Sequence, residues 1–444
     1  MSASLVRLST GLKNALSSAL AAVLAHRLWQ AGAGAVTLIL VVKFLSAEEQ
    51  GWYYSFLSVA ALWSLFELGL SVVLVQAAAR FWRDSNWSVQ GAVVGGHSAR
   101  FLSLLVHSVR WYGVLAWIVL LVLLPGGVLF FGEKDGSALH WMAPWVVLCL
   151  FTALALVLIP YLAVIEGSGQ VAVVYRVRLL QGILGSVLCW SVLAFGGGLW
   201  ASGMAPAAAV LVPAAWLMVT RRQFVEGWWR HKASDFDWRS EIWPLQWRLG
   251  VSQLCGYLLT QINIPLLFQV QSPIEAGQMG VSLTLVNMIG LFAGAWIARQ
   301  TPEMVRLVLE RNWPAVDRVF FRDLGVSSAV YALGAASILG VLLAIEDTKF
   351  GGRILPFWQF VGLLLTSFSS HIVGAMANQL RCFRREPLVV VMVVSTLLIV
   401  PTNWWMAAHY SSAGIVATLV IVMVGFNLPV AIAIWRRCNR LWRV

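Results

Sequence analysis

The chain has 444 residues, of which 60% are apolar and only 11% are charged, and its mean hydropathy is +0.80. So few charges cannot cover the surface of a soluble protein of this length, which excludes the soluble globular class. The formal net charge of +12 is spread over many short loops rather than clustered, so it does not indicate a nucleic-acid partner.

The N-terminal residues 1–22 predict an interfacial amphipathic helix rather than a signal peptide. Leucines recur there at helical spacing, whereas Arg7 and Lys13 interrupt any apolar core that a signal peptide would need. We therefore expect this segment to lie at the membrane surface before the first crossing.

Long apolar runs then follow one another along the chain and predict a polytopic all-α membrane protein. Twelve such runs are present, at roughly 24–45, 53–79, 102–131, 141–165, 178–198, 202–220, 249–270, 279–299, 324–345, 356–380, 388–406 and 413–435. The longest polar stretch, residues 221–247, separates the sixth run from the seventh. The expected organisation is thus an N-lobe of six helices (23–220), a cytoplasmic linker (221–247), a C-lobe of six helices (248–435) and a basic tail (436–444).

One short motif occurs twice, half a chain apart. It consists of Ser, Glu and Gly at a fixed spacing, first as Ser46, Glu49 and Gly51 and then as Ser272, Glu275 and Gly277. Each copy stands between the first and second predicted helix of its half. The repetition predicts two pseudo-symmetric six-helix lobes in parallel orientation, related by an axis along the membrane normal.

The basic residues predict the orientation in the membrane. One side of the predicted topology keeps only Lys43, Lys134, Lys349 and Arg353 of the 31 Lys and Arg residues, and Arg27 lies within the first helix. All the others lie on the side of both termini, which the positive-inside rule assigns to the cytoplasm.

Two charged residues fall inside predicted crossings. Arg27 lies 21 residues before Glu48, at the tip of the first hairpin, and Glu67 lies 19 residues after it. At 1.5 Å per residue their depths differ by only about 3 Å, which predicts contact between the two side chains. The contact is either a structural ion pair or an arginine that faces a central cavity and is held by Glu67.

Neutral polar residues mark three further helices. His26 and Gln30 lie on a polar stripe of helix 1, His371 belongs to a similar stripe on helix 10, and Asn263 lies in helix 7. Such stripes either line a cavity or join neighbouring helices. The second half thus uses neutral side chains where the first uses Arg and Glu, so we expect a cavity of asymmetric charge.

Several arginines stand at the cytoplasmic ends of predicted helices. Arg176, Arg248 and Arg299 are among them, and each alone is explained as a positive-inside anchor. Together they would surround a cavity with positive potential and would favour an anionic substrate.

Signatures of catalysis and metal binding are missing from the sequence. No G-x-x-x-x-G-K-[ST] or G-x-S-x-G motif occurs, no His/Cys/Asp cluster has metal-ligand spacing, and the five cysteines show no paired spacing. The sequence predicts no cofactor and no metal. Because the outer loops are also short, it predicts a transporter rather than an enzyme.

The stretch FLSAEEQGWYYSFLSVAALWSLFELGLSVVLVQAAAR resembles the helix 1–2 region of the Wzx-type polysaccharide flippases of the multidrug/oligosaccharidyl-lipid/polysaccharide (MOP) superfamily. The resemblance rests on the leucine, acidic pair and glycine after helix 1 and on the Glu67-Leu68-Gly69-Leu70 step in helix 2. It implies a MATE-like inverted V of two lobes around a cationic cavity, and a basic residue in helix 1 of related flippases matches Arg27.

The resemblance also implies a function. It implies transport of an undecaprenyl-pyrophosphate-linked oligosaccharide from the inner to the outer leaflet of a bacterial inner membrane by alternating access, for O-antigen or exopolysaccharide synthesis. Membrane lipids, a polysaccharide polymerase and chain-length proteins are the candidate partners. Two alternatives stay open, a MATE-type drug or cation antiporter and a membrane enzyme of envelope polysaccharide assembly.

Overall fold

The computed structural model shows an all-α protein, and the polytopic fold class predicted from the sequence is confirmed. The structure describes residues 2–82, 85–88, 91–95, 98–134, 139–230, 238, 242–345, 347–348, 350–383 and 385–443. Within these ranges, the side chains at 2–18, 227–230, 244–245 and 248–249 lie outside the description.

Sixteen α-helices follow one another along the described chain. Those of the first half are α1 (Ser2–Phe44), α2 (Ala47–Ala60), α3 (Trp63–Glu67), α4 (Leu70–Phe81), α5 (Ser98–Gly132), α6 (Met142–Gly167), α7 (Val171–Ala194), α8 (Met204–Thr220) and α9 (Arg222–Arg230). Those of the second half are α10 (Trp243–Thr260), α11 (Asn263–Val270), α12 (Pro273–Leu309), α13 (Trp313–Ile345), α14 (Phe357–Arg381), α15 (Val389–Val420) and α16 (Leu428–Trp442). The described strands, β1 (Ser85–Trp87) and β2 (Val93–Gly95), form a small antiparallel hairpin between α4 and α5.

The sequence predicts twelve crossings, and the described residues contain nine to eleven candidate spans. In the described chain, nine helices are long and apolar enough to span a membrane, and two bent pairs raise the number to eleven. The longest of the nine, Val389–Trp442, is interrupted by non-helical backbone at Ser411 and continues through a π-helix over Ile421–Asn427. Its 54 residues would extend about 80 Å as one helix, far more than a bilayer core needs.

The chain divides into two compact units, and the first comprises Met1–Phe44 and Val59–Leu254. Here α1 packs along α7, α5 packs along α6, and α7 also packs against α8. The predicted surface segment 1–22 is continuous with the first crossing as part of α1. Of the predicted linker 221–247, residues 231–237 and 239–241 lie outside the described residues, and Arg222–Arg230 form α9.

The second unit comprises Leu45–Ser58 and Cys255–Val444. In it α12 packs against α13 and α14, and α14 packs against α15 and α16. These units differ from the lobe boundaries expected from the sequence, because most of α2 belongs to the second unit and residues 248–254 of α10 belong to the first. The physical reason lies in the contacts that α2 makes.

Both copies of the repeated motif begin a helix in the same way. The Ser46 hydroxyl accepts a hydrogen bond from the Glu49 N–H at 3.1 Å, and Ser272 accepts one from the Glu275 N–H at 3.3 Å. In the first copy the Glu49 carboxylate also accepts from the Ser46 N–H at 2.8 Å, which completes a capping box. In the second copy the Ser411 hydroxyl donates to the Glu275 carboxylate instead. The motif therefore starts α2 and α12 by satisfying N–H groups that would otherwise lack partners.

The glycines of the two motifs explain why α2 belongs to the second unit. A Cβ at Gly51 would lie 1.8 Å from the Pro273 carbonyl oxygen, and a Cβ at Gly277 would lie 2.9 Å from the Gly51 nitrogen. Only glycine permits this approach, so α2 and the start of α12 touch backbone to backbone. The Gln50 amide also donates a hydrogen bond to the Arg353 carbonyl at 3.1 Å, which joins α2 to the segment before α14.

Candidate functional site

Glu67 lies at a break in the second crossing. After it, Leu68 and Gly69 take left-handed φ angles of 51° and 69°, which ends α3 and starts α4 in a new direction. The Glu67 carboxylate accepts hydrogen bonds from the N–H of Gly69 at 3.1 Å and of Ser71 at 2.6 Å, and from the Tyr112 hydroxyl at 2.8 Å. Glu67 is 5% exposed, so its carboxyl group is buried, and it accepts these three hydrogen bonds. It caps α4 inside the membrane.

The predicted contact between Arg27 and Glu67 is wrong. Both residues belong to the described part of the first unit, and no ion pair joins them there, because the Glu67 oxygens are already occupied. The depth calculation assumed a continuous helix from Glu48 to Glu67, whereas the described chain is interrupted at Ala61–Leu62, between α2 and α3. Arg27 is exposed instead and has no acidic partner among the described residues. A charge exposed to lipid at this position costs roughly 2.5–3.5 kcal/mol. Arg27 is therefore expected to face water rather than lipid.

The polar stripe of α1 faces a neighbouring helix. The His26 ring meets the Tyr175 ring of α7 edge to face at 5.8 Å, and the Trp190 indole of α7 donates to the Thr37 hydroxyl at 2.8 Å. His26 is thus half-buried between α1 and α7, whereas Gln30 is exposed like Arg27. Through His26 and Thr37 the stripe joins α1 to α7. Of the two predicted site residues, Gln30 is the exposed one and can contact a ligand.

The neighbouring helix α7 carries two arginines with different surroundings. Arg178 pairs with Glu166 of α6 at 2.9 Å and stands over the Tyr175 ring at 4.9 Å. Arg176 is exposed, and no acidic partner is described for it. The backbone of Arg248 lies in α10, but its side chain is outside the described part. Of the predicted basic residues of this unit, Arg27 and Arg176 are therefore the exposed, unpaired ones that the structure describes.

The second unit contains a cavity of about 390 Å³. Its polar lining residues include hydroxyls of α14 and amides of α11 and α12, namely Thr366, Ser367, Ser370, Asn263 and Asn287. Its apolar lining residues include Leu259, Met392 and Met423, and Arg381 is the charged residue in the lining. Its volume falls within the range of small-molecule sites, about 300–1,000 Å³.

Asn263 has a structural partner as well as a place in the cavity wall. Its side-chain carbonyl accepts from the Asn403 amide of α15 at 2.8 Å, and its own amide donates to the Leu259 carbonyl at 3.3 Å. Asn263 follows the bend between α10 and α11, where the crossing turns by 42°. The amide pair thus holds a broken helix, much as Glu67 holds the other one.

The remaining predicted residues lie away from this cavity. His371 hydrogen-bonds the Ser327 hydroxyl of α13 at 3.0 Å and stacks on the Tyr331 ring. Arg299 lines a separate groove of about 320 Å³ between α12 and α13. The sequence reasoning missed Tyr112 and Asn403, which complete the hydrogen bonding of the two breaks, and no local signal identifies them because their partners are distant in the chain.

Within the described residues, no group of three or more His, Cys, Asp or Glu side chains is arranged to hold a metal ion. The first unit presents exposed guanidinium groups beside an amide, and the second presents a cavity of hydroxyls, amides and apolar carbon.

No protein-family model and no curated protein matches the chain. Solved structures match nearly all of it. An inward-facing multidrug resistance MATE family transporter of the MOP superfamily aligns with a TM-score of 0.65 at 14% identity, over 94% of each chain. The lipid II flippase MurJ, in an inward closed conformation, aligns with a TM-score of 0.57 at 12% identity, over 93% of this chain and 86% of that one.

A third structure is a MOP superfamily transporter from Pyrococcus furiosus, described as having a binding pocket of reverse polarity. It aligns with a TM-score of 0.53 at 16% identity, over 97% of this chain and 96% of that one. These likenesses define a class by its fold: the chain is an all-α, polytopic membrane protein with the fold of the MATE and MOP transporters.

Proposed function

We propose that the protein is a flippase that moves an undecaprenyl-pyrophosphate-linked oligosaccharide from the inner to the outer leaflet of a bacterial inner membrane. Both termini would then lie in the cytoplasm, and transport would proceed by alternating access without bond chemistry. The fold supports a transporter, since its structural neighbours include a lipid II flippase as well as multidrug transporters. The choice of an anionic lipid-linked cargo rests on the charges of the first unit.

The observation that carries the proposal is the contrast between Arg27 and Glu67. Glu67 is buried and occupied by three hydrogen bonds, so its carboxylate is not available to a cationic ligand. Arg27 is exposed and unpaired in the described part of the chain, and Arg176 is exposed as well. Guanidinium groups bind phosphates through charge-assisted, bidentate hydrogen bonds. The accessible charge in this unit therefore suits a pyrophosphate.

The same contrast weakens the alternative of a drug or cation antiporter. A cationic cargo would be recognised by an accessible carboxylate in the membrane. The other acidic side chain described near these helices, Glu166, is engaged by Arg178 at 2.9 Å. The cation antiporter is therefore the less favoured class, and it predicts an opposite result in the following experiment.

The test measures flipping of a fluorescent undecaprenyl-pyrophosphate-linked sugar in proteoliposomes. Replacing Arg27 with Gln removes the charge, and we expect the initial rate to fall at least tenfold, because a charge-assisted contact contributes about 1.5–3 kcal/mol. Arg27→Lys should keep part of the rate as a point charge without the fork. Arg318→Gln is the matched control, since Arg318 is also an exposed arginine of a membrane-crossing helix.

Two results would contradict the proposal. Unchanged flipping by the Arg27→Gln variant would remove this residue from cargo recognition. Faster export of an organic cation than of the lipid-linked sugar by the unmodified protein would assign the antiporter function instead.

A further inference from the structure

A groove between α12 and α13 combines features that the proposed transport function does not use. Trp296, Arg299 and Gln300 come from α12, and Arg322, Asp323 and Val326 come from α13. The groove has a volume of about 320 Å³. It opens to the protein surface, since Trp296 is 41% and Val326 is 43% exposed.

The charges of the groove do not cancel. Asp323 is 8% exposed, and its Oδ1 accepts a hydrogen bond from the Arg322 Nε at 3.1 Å. This bond fixes the base of the guanidinium, while the Arg322 side chain remains 57% exposed. Arg299 is exposed and has no acidic partner among the described residues. Two guanidinium groups thus stand against one carboxylate, which leaves the groove with a net positive charge.

The position of the groove along the helices indicates what it meets. Arg299 lies ten residues before the end of α12 at Leu309, and Asp323 lies ten residues after the start of α13 at Trp313. Both are therefore about 15 Å along their helices from the connecting turn. Beyond them the surface is apolar, with Phe292 53% exposed. Under the predicted orientation, this boundary lies at the cytoplasmic leaflet, where tryptophan side chains are enriched.

We infer that the groove binds the phosphate headgroup of an anionic phospholipid of the cytoplasmic leaflet. Arg299 and Arg322 hold the phosphate oxygens, Gln300 donates a further hydrogen bond, and Asp323 keeps Arg322 in place. The acyl chains lie along the exposed apolar surface of α12 and α13. The inference does not depend on the proposed cargo, because the site belongs to a groove that is separate from the cavity of this unit.

The test is native mass spectrometry of the purified, delipidated protein titrated with phosphatidylglycerol. We expect Arg299→Gln and Arg322→Gln each to weaken phosphatidylglycerol binding severalfold, and the double variant at least tenfold. Arg318→Gln, an exposed arginine of α13 outside the groove, should bind as the unmodified protein does. Melting curves show whether each variant is folded. If the double variant does not fold, the two single variants provide the test.

Competition experiments identify the source of the phosphate. Inorganic phosphate should not displace phosphatidylglycerol at equal concentration, because it lacks the acyl chains. The inference is overturned if the groove variants bind phosphatidylglycerol normally, if Arg318→Gln weakens binding equally, or if inorganic phosphate displaces the lipid. The inference is also overturned if the groove variants lose binding of undecaprenyl pyrophosphate alone, since the groove would then recognise the proposed cargo.

Discussion

Two crossings of this protein are broken, and they are stabilised by different chemistry. The second crossing bends by 41° after Glu67, and the seventh bends by 42° between α10 and α11. A buried carboxylate closes the first break by accepting from two backbone N–H groups and a tyrosine hydroxyl. A pair of neutral amides, Asn263 and Asn403, supports the second break.

The difference follows from what each break leaves unsatisfied. At Leu68–Gly69 the backbone is left-handed, and the first N–H groups of α4 point away from any helical acceptor. Inside a membrane each unsatisfied group costs several kcal/mol, so one carboxylate that accepts three hydrogen bonds is stabilising in spite of its charge. At the other break, Asn263 begins α11 and Pro265 follows as a residue without an N–H. Fewer donors need acceptors there, and neutral groups suffice.

Among changes at the two breaks, removal of the Glu67 carboxylate should reduce the stability of the protein most. We expect Glu67→Ala to destabilise the protein by about 3 kcal/mol or more, because it leaves two N–H groups and a hydroxyl without an acceptor. Glu67→Gln should lose less, since its amide retains one acceptor oxygen. Thermal unfolding in detergent, followed by tryptophan fluorescence, measures the difference.

The control for this prediction is the exchange of Arg27 and Glu67, which the sequence analysis predicted to be in contact. Arg27→Glu combined with Glu67→Arg keeps one positive and one negative side chain at these two positions. An arginine at 67, however, cannot accept hydrogen bonds from the N–H groups of Gly69 and Ser71. The exchanged protein should therefore be as unstable as Glu67→Ala. Recovery of stability in the exchanged protein would show that an ion pair, rather than capping, is the role of Glu67.

The sequence predicted the membrane class and the repeated turn, because these depend on composition and on contacts close in the chain. It misplaced Glu67, because helical rise converts residue number into depth only while a helix is continuous. The sequence did contain a local signal of the break. Gly69 and Ser71 follow Glu67, and glycine and serine are typical of helix ends. Tyr112 gave no signal, since 45 residues separate it from Glu67. For the His371 stripe the sequence left both cavity lining and helix packing open, and His371 contacts Ser327 of α13.

Removing one amide of the pair should have an intermediate and unequal effect. In the described structure the Asn403 side-chain oxygen is buried without a partner, so Asn263→Ala leaves the whole Asn403 amide unsatisfied. We expect Asn263→Ala to cost about 2–3 kcal/mol and Asn403→Ala about 1–2 kcal/mol, because the second change also removes the unpartnered oxygen.

The double variant completes this cycle, with the same unfolding measurement. Since both side chains serve one hydrogen bond, their effects should not add, and the double variant should be more stable than Asn263→Ala because no unpaired Asn403 amide is left. Additive losses would mean that the two amides stabilise the protein independently and that the bend at α11 does not depend on their pairing.

The smallest effect concerns two glycines of α10, the helix that precedes the second break. A Cβ at Gly250 would lie 2.9 Å from Leu68 Cδ2 and 3.1 Å from Leu68 Cβ, so α10 packs closely on the first break. At Gly256 the nearest atom to an added Cβ is Met392 Cε at 3.8 Å, an ordinary contact. Alanine in a helix interior is favoured over glycine by about 1 kcal/mol, so Gly256→Ala should be neutral or slightly stabilising.

Gly250→Ala gains the same helix preference but must displace Leu68, whose left-handed backbone leaves it little freedom to move. We expect it to be less stable than Gly256→Ala by about 1 kcal/mol, the lower part of the range for overpacking. Gly250→Ala with Leu68→Gly should then recover part of the loss, because the glycine removes the obstructing side chain and accepts the positive φ. Equal stability of the two alanine variants would indicate that the break at Leu68 adapts freely and is not held by its packing on α10.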